Sequence, residues 1–127
     1  MSRNIAFFCL FVLACAYAAS TYTTKYDNID VEEILNNDRL YKKYYDCLAN
    51  KDKCTRDGKE LKDILPDALK TQCAKCSEKQ KIGAEKVIRF MLEKKRADFD
   101  VLEKIYDPSG TYRKKYAAEA NRRGIKV

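Results

Sequence analysis

The chain has 127 residues, 46% of them hydrophobic and 35% charged, with a formal net charge of +7. That composition excludes an intrinsically disordered chain and suits one globular domain. The absence of His removes the commonest general base, the Ser-His and Cys-His nucleophile pairs and the commonest metal ligand, so neither enzyme activity nor a cofactor is expected.

The chain opens with Arg3 and an apolar run from Ile5 to Ala18 that ends in Ala16-Tyr17-Ala18. A positive start, a short apolar stretch and a small-residue site make residues 1–18 a secretory signal peptide, cleaved near Ala18 or Ala19 and too short for a comfortable membrane span. This reading is preferred to an anchored N-terminal helix and to a lipoprotein signal at Val12-Leu13-Ala14-Cys15. Its loss leaves 109 residues, four of the six Cys and, with Arg3 gone, a charge of +6. A domain of that size buries a real core but a thin one, and any ligand cavity subtracts from it.

Residues 22–29 read as an extended segment carrying Tyr22 and Tyr26. Asp30, with Glu33 three residues later, forms a capping box for a short helix with Val31, Ile34 and Leu35 on its apolar side. A second helix runs from about Asp38 to Ala49, with Leu40, Tyr41, Tyr44 and Leu48 on one face. Thr55-Arg56-Asp57-Gly58 reads as a turn. A third helix begins near Lys59 with a stripe of Leu61, Ile64, Leu65, Ala68 and Leu69, and Pro66 either kinks it or opens a new turn, a kink being preferred. Ser77 and Gln80 cap a long helix reaching about Lys94, with Ile82, Val87, Ile88, Phe90 and Met91 apolar. A fifth helix spans about Asp98 to Tyr106, with Phe99, Leu102, Ile105 and Tyr106 on one side. After the turn Asp107-Pro108-Ser109-Gly110, Thr111 caps a last helix with Tyr112, Tyr116 and Ala120 inward and Gly124 at its C-terminal cap. The expected fold class is thus an all-α compact bundle of about six helices without strands.

The four mature cysteines are spaced Cys47-x6-Cys54-x18-Cys73-x2-Cys76. In a secreted chain an even count favours disulfides, and spacing alone leaves three pairings open. A four-cysteine zinc site fits the second pair and not the first, and Cys-Ala-Lys-Cys lacks the βαβ setting of a redox motif. Carboxylate pairs such as Glu32/Glu33 read as solvated helix surface, and no glycine-rich phosphate loop occurs. Acidic residues interleave the basic ones, so the charge reads as a solvated surface and not as a nucleic-acid footprint, although a cation or two could attract an acidic head group at a cavity mouth. Tyrosine is enriched, with 9 in the chain, and Tyr22, Tyr26, Tyr44, Tyr106, Tyr112 and Tyr116 fall at inward positions. Such residues pack at a core rim or line an amphipathic pocket, because the ring is apolar and the hydroxyl needs a partner.

The cysteine spacing, the stretch Tyr22 to Asp30, the segments Gly58 to Lys62 and Leu65 to Thr71, and the run Tyr106 to Tyr116 resemble the insect chemosensory proteins, the OS-D or pherokine family. The resemblance covers essentially residues 19–127. It implies a six-helix fold enclosing a hydrophobic channel, with neighbouring cysteines joined as Cys47–Cys54 and Cys73–Cys76. Related odorant-binding proteins typically carry six mature cysteines, so the six of the full chain mislead. By position, Tyr26, Tyr44, Phe99 and Tyr116 match aromatic positions at or near the family's channel, and Leu61, Ile64, Leu65, Ile82 and Val87 lie on faces that would form its walls. Many members have Trp at the positions of Phe99 and Tyr112, and the smaller Phe99 would reshape the channel. The implied function is a secreted, extracellular carrier of fatty acids, alcohols, esters and pheromone-like or odorant-like molecules. Its expected partner is a small apolar ligand, without nucleic acid or stable membrane insertion, and it is expected to be a monomer. A secreted interaction or signalling protein is the alternative, supported by the basic C-terminal helix.

Overall fold

Side-chain caps mark where most of the helices begin in the computed structural model, which describes residues 21–126, the helix that opens at Arg96 being without one. The expected signal peptide, residues 1–18, lies outside the described residues. Helix α1 (Val31–Asn36) starts where the Asp30 carboxylate accepts from Glu33 N at 3.2 Å. Helix α2 (Asp38–Leu48) follows directly, because Asn37 Oδ1 accepts from the amides of Arg39 and Leu40, each at 3.1 Å. Helix α3 (Arg56–Thr71) is capped by Thr55, and α4 (Glu78–Lys94) by Ser77 with the reciprocal Gln80 bond that completes the expected box. Helices α5 (Arg96–Tyr106) and α6 (Thr111–Arg122) complete the set. Among the described residues the regular structure is entirely helical.

Two starts differ from the sequence expectation. The Thr55–Gly58 segment is not a free turn but the entry of α3, three residues earlier than expected. Gly58 is buried there because a Cβ would stand 3.1 Å from Thr55 Oγ1 and 3.3 Å from Cys47 Sγ, so this glycine is a close-approach residue. Helix α6 begins at Thr111 but is not capped by it. Gly110 takes the left-handed conformation, φ +71°, and the Asp107 carboxylate accepts from Tyr112 N at 3.1 Å and Arg113 N at 3.0 Å. Asp107 is buried, and the positive end of the helix it faces compensates its charge. The segment expected to be extended turns over residues 25–28, with Asp27 N bonded to Thr24 O and Ile29 N to Tyr26 O, as the Asp-Asn pair favours. Helix α3 runs through Pro66, so no new helix opens there. At the far end of α6, Gly124 N donates to Asn121 O and Ile125 N to Ala120 O, the paired bonds of a Schellman stop, with Gly124 at φ +73°.

Helix α2 packs against α1 and α3, and α4 against α1 and α5. The core where these meet is small: Leu35, Tyr41, Tyr45, Ala49 and Met91, flanked by Val31, Val87, Phe90, Phe99, Val101 and Leu102. Tyr45 belongs to this core, whereas Tyr44, placed on the inner face by periodicity, is half-buried and turns to α3. Ile88, expected inward, is an exposed residue of α4.

Covalent and polar links hold what the core does not. The disulfides are Cys47–Cys54, at the α2–α3 corner, and Cys73–Cys76, at the α3–α4 corner. Tyrosine hydroxyls then bridge the elements. Tyr41 (α2) donates to Asp98 of α5 at 2.8 Å, Tyr44 (α2) to Asp57 of α3, and Tyr106 (α5) to the Leu48 carbonyl at 2.7 Å. Tyr116 (α6) donates to the Leu69 carbonyl of α3, and Tyr22 to Asp67 of α3 at 2.6 Å. Each ring buries apolar area and each hydroxyl spans a gap between elements.

These bonds shift both partners. Burial, and then the bond to a carboxylate, pushes the Tyr44 and Tyr22 phenols up to about 12. Burial raises the Asp57 carboxyl, but hydrogen bonds from Thr55 and Tyr44 outweigh it and hold it below its ordinary value. A phenol that ionises later in the folded state gives stability that is complete below pH 10 and lost as pH climbs from 10 towards 12. The depressed carboxyl of Asp57 gives stability that is present above the ordinary aspartate range and lost as pH falls through its folded value.

Two outcomes are expected. The urea midpoint should fall steeply between pH 10 and 12, and Tyr44→Phe should flatten that fall while lowering stability at pH 7 by about 1 kcal/mol. Gly58→Ala should also destabilise, by about 1 kcal/mol in a thermal melt, although alanine is ordinarily the better helix former.

Candidate ligand-binding face

At 100° per residue, Leu61, Ile64, Leu65, Ala68 and Leu69 share one face of α3. The protein does not bury that face. Gly58 is the buried residue of α3, while Ile64, Leu65, Ala68 and Leu69 are half-buried and Leu61 is 40% exposed. None of the stripe belongs to the core cluster. The helix is nonetheless fixed at both ends. At its start stand the Cys47–Cys54 disulfide and the Tyr44–Asp57 bond. At its end stand the Cys73–Cys76 disulfide, the Tyr116 bond to Leu69 O, and Asp67, which takes the Tyr22 hydroxyl and the Lys75 ammonium at 3.2 Å. An apolar stripe held at both ends and only partly covered between them leaves apolar surface on a fixed frame.

The expected site residues fall into three groups. Leu61, Ile64 and Leu65 form the stripe, with Tyr44 and Tyr116 at its two ends, and Tyr116 stacks on Tyr112 with ring centroids 6.1 Å apart. Val87 and Phe99 pack against the core cluster, so they back the bundle. Ile82 and Tyr26 lie elsewhere. Ile82 is 53% exposed and lines an outer cleft with Ile29, Val31, Gly83 and the charged Lys79 and Lys86. Tyr26 is half-buried in the N-terminal turn under the Lys25 ammonium. Helical spacing put Ile82 with Val87, but the N-terminal residues that meet this part of α4 bring carboxylates and leave its side chain outside. The smaller Phe99 is half-buried, with the Arg96 guanidinium 5.8 Å from its ring centre.

Sequence reasoning missed the N-terminal latch. Tyr22 N donates to Lys75 O at 2.9 Å, Ser77 Oγ donates to Asp27 at 2.7 Å, and Gln80 Nε2 donates to Asp27 and to Thr23 O, each at 2.9 Å. The signal was the capping box itself, whose Ser77 hydroxyl and Gln80 amide keep spare donors after capping. On α6, Arg113 pairs with Glu103 at 2.8 Å and Arg123 with Glu119 at 3.0 Å, so part of the basic tail serves internal ion pairs. Among the described residues no cluster of three potential ligands could hold a metal ion, and no helix is long and apolar enough to cross a membrane.

Comparison with known proteins agrees with this architecture. The family described as insect pheromone-binding family, A10/OS-D, matches residues 22–114. Ejaculatory bulb-specific protein 3 of Drosophila melanogaster is 53% identical over 115 residues, covering 91% of each chain. Allergen Tha p 1 of Thaumetopoea pityocampa is 48% identical, over 84% of this chain and 89% of that one. Among solved structures, a chemosensory protein in complex with bromo-dodecanol aligns with a TM-score of 0.72 at 43% identity, over 78% of this chain and 99% of that one. Antennal chemosensory protein A6 from the moth Mamestra brassicae aligns at 0.66 with 43% identity, over 84% of this chain and 98% of that one. The chain belongs to the A10/OS-D family of insect chemosensory proteins.

Proposed function

We propose that this protein is a secreted, monomeric, non-enzymatic carrier that reversibly binds long-chain, low-polarity ligands in a channel walled on one side by the α3 stripe. The domain doing so spans residues 19–127 once the signal peptide is removed. The observation that carries this reading is the incomplete burial of Leu61, Ile64, Leu65 and Leu69 on a helix whose two ends are pinned by disulfides and tyrosine hydroxyls. The bromo-dodecanol complex of a 43% identical protein supports a ligand of that shape, an apolar chain with one polar end.

Each buried methylene contributes about 0.8 kcal/mol, less the cost of ordering the chain, so a ligand of about a dozen carbons reaches micromolar affinity. Fatty acids, alcohols and esters of that reach are the proposed ligand class, with pheromone-like and odorant-like molecules among them. Val87 and Phe99, which flank the core, would close the deep side of the channel.

Displacement of a fluorescent apolar probe by alcohols of graded length should show saturable one-site binding with an optimum length. Leu65→Glu should weaken the best alcohol by about tenfold or more while leaving the helical circular dichroism intact. Unchanged affinity in that variant would place the ligand elsewhere.

A further inference from the structure

Half-buried cations in this protein are, as a rule, matched. Lys75 meets Asp67 at 3.2 Å, Arg89 meets Glu85 at 3.2 Å, and Arg113 meets Glu103 at 2.8 Å, while Lys95 lies over the Tyr41 ring at 5.3 Å. Lys62 is half-buried as well, and among the described residues it has neither a carboxylate within ion-pair distance nor a ring beneath it. Burial of a lysine to this extent is ordinarily that of its aliphatic stem, and an ammonium left without a partner at the end of that stem is open to something that meets it.

Its position supplies the something. On α3 the exposed ion pair Lys59–Asp63 marks the outer face. Lys62 precedes Leu65 by three residues and Leu69 by seven, so it stands on the flank of the apolar stripe. The half-buried Glu60 takes the opposite flank. The four methylenes of Lys62 can lie along the stripe while the ammonium reaches its rim. A second feature falls on the same residue. Pro66, four residues on and inside the helix, has no N–H, so the helical bond it would have given to the Lys62 carbonyl is missing. One residue at the edge of an apolar face therefore presents both a cationic donor and a released backbone acceptor.

We propose that Lys62 is the head-group anchor of this site. Its ammonium donates to the carboxylate of a long-chain acid, and its carbonyl accepts from the hydroxyl of the corresponding alcohol. The inference rests on the carrier reading and adds a selectivity to it: at neutral pH an acid is held by a charge-assisted bond and an alcohol of equal length by a neutral one, the weaker of the two.

The test is probe displacement by dodecanoate and by dodecanol, with wild-type protein, Lys62→Met and Lys62→Arg. Wild type should bind the acid more tightly than the alcohol. Lys62→Met keeps the apolar stem and should weaken the acid by about tenfold while changing the alcohol by less than about threefold, and Lys62→Arg should restore the acid. Equal loss of both ligands in Lys62→Met, or an acid affinity that does not change, would overturn the anchor and leave the carrier reading standing. Failure of wild type to bind either ligand would overturn the carrier reading itself, and the anchor with it.

Discussion

A tyrosine whose ring packs between elements can give its hydroxyl to an acceptor across the gap, and five such bonds, from one buried and four half-buried tyrosines, tie this fold together. Tyr41, Tyr44, Tyr106 and Tyr116 each leave one helix and bond to another, while Tyr22 secures the N-terminal segment to α3. An aliphatic core positions helices by filling the space between them. A tyrosine positions them at the end of a six-membered ring, with a directional bond that holds the neighbour at a distance. The frame can therefore be defined before its interior is filled.

That distinction explains how a chain of this size tolerates so small a core. The buried cluster gathers α1, α2 and α4, with α5 packed against it, and the two disulfides, the tyrosine bonds, the N-terminal latch and inter-helix ion pairs such as Arg113–Glu103 add to it. The apolar stripe of α3 is left as unsatisfied surface inside an already determined frame. In the proposed carrier, an alkyl chain enclosed against it would gain about 0.8 kcal/mol per fully buried methylene and would supply what further core side chains would have supplied elsewhere. Binding and stability would then be coupled, because a molecule that binds only the folded state raises its stability by mass action.

The parts of this arrangement that were legible in the sequence are those written in local chemistry. The Ser77–Gln80 box, the Asp30 cap, the left-handed Gly124 and the periodic stripe of α3 each depend on residues within a turn or two of one another. What was not legible depends on which of several neighbouring polar groups takes a cap, or on partners from another element. Asp107 caps α6 from outside the helix, Gly58 is dictated by the neighbouring disulfide, and Tyr45 displaces Tyr44 from the core by a rotation of one residue that helical spacing does not fix. Ile82 shows the same limit at the candidate site. It lies on the expected apolar face of α4, yet the N-terminal segment that meets it brings carboxylates, and it ends in an outer cleft. The disulfide pairing came from the family resemblance, since spacing alone permits three arrangements.

The most direct measurement is a methyl-resolved NMR titration of the oxidised protein with a twelve-carbon alcohol. The account predicts saturable shifts centred on the methyl groups of Leu61, Ile64, Leu65 and Leu69, with Leu35 and Met91 of the core little changed. Shifts confined to Ile29 and Ile82 around the outer cleft, with the α3 methyls unmoved, would contradict it.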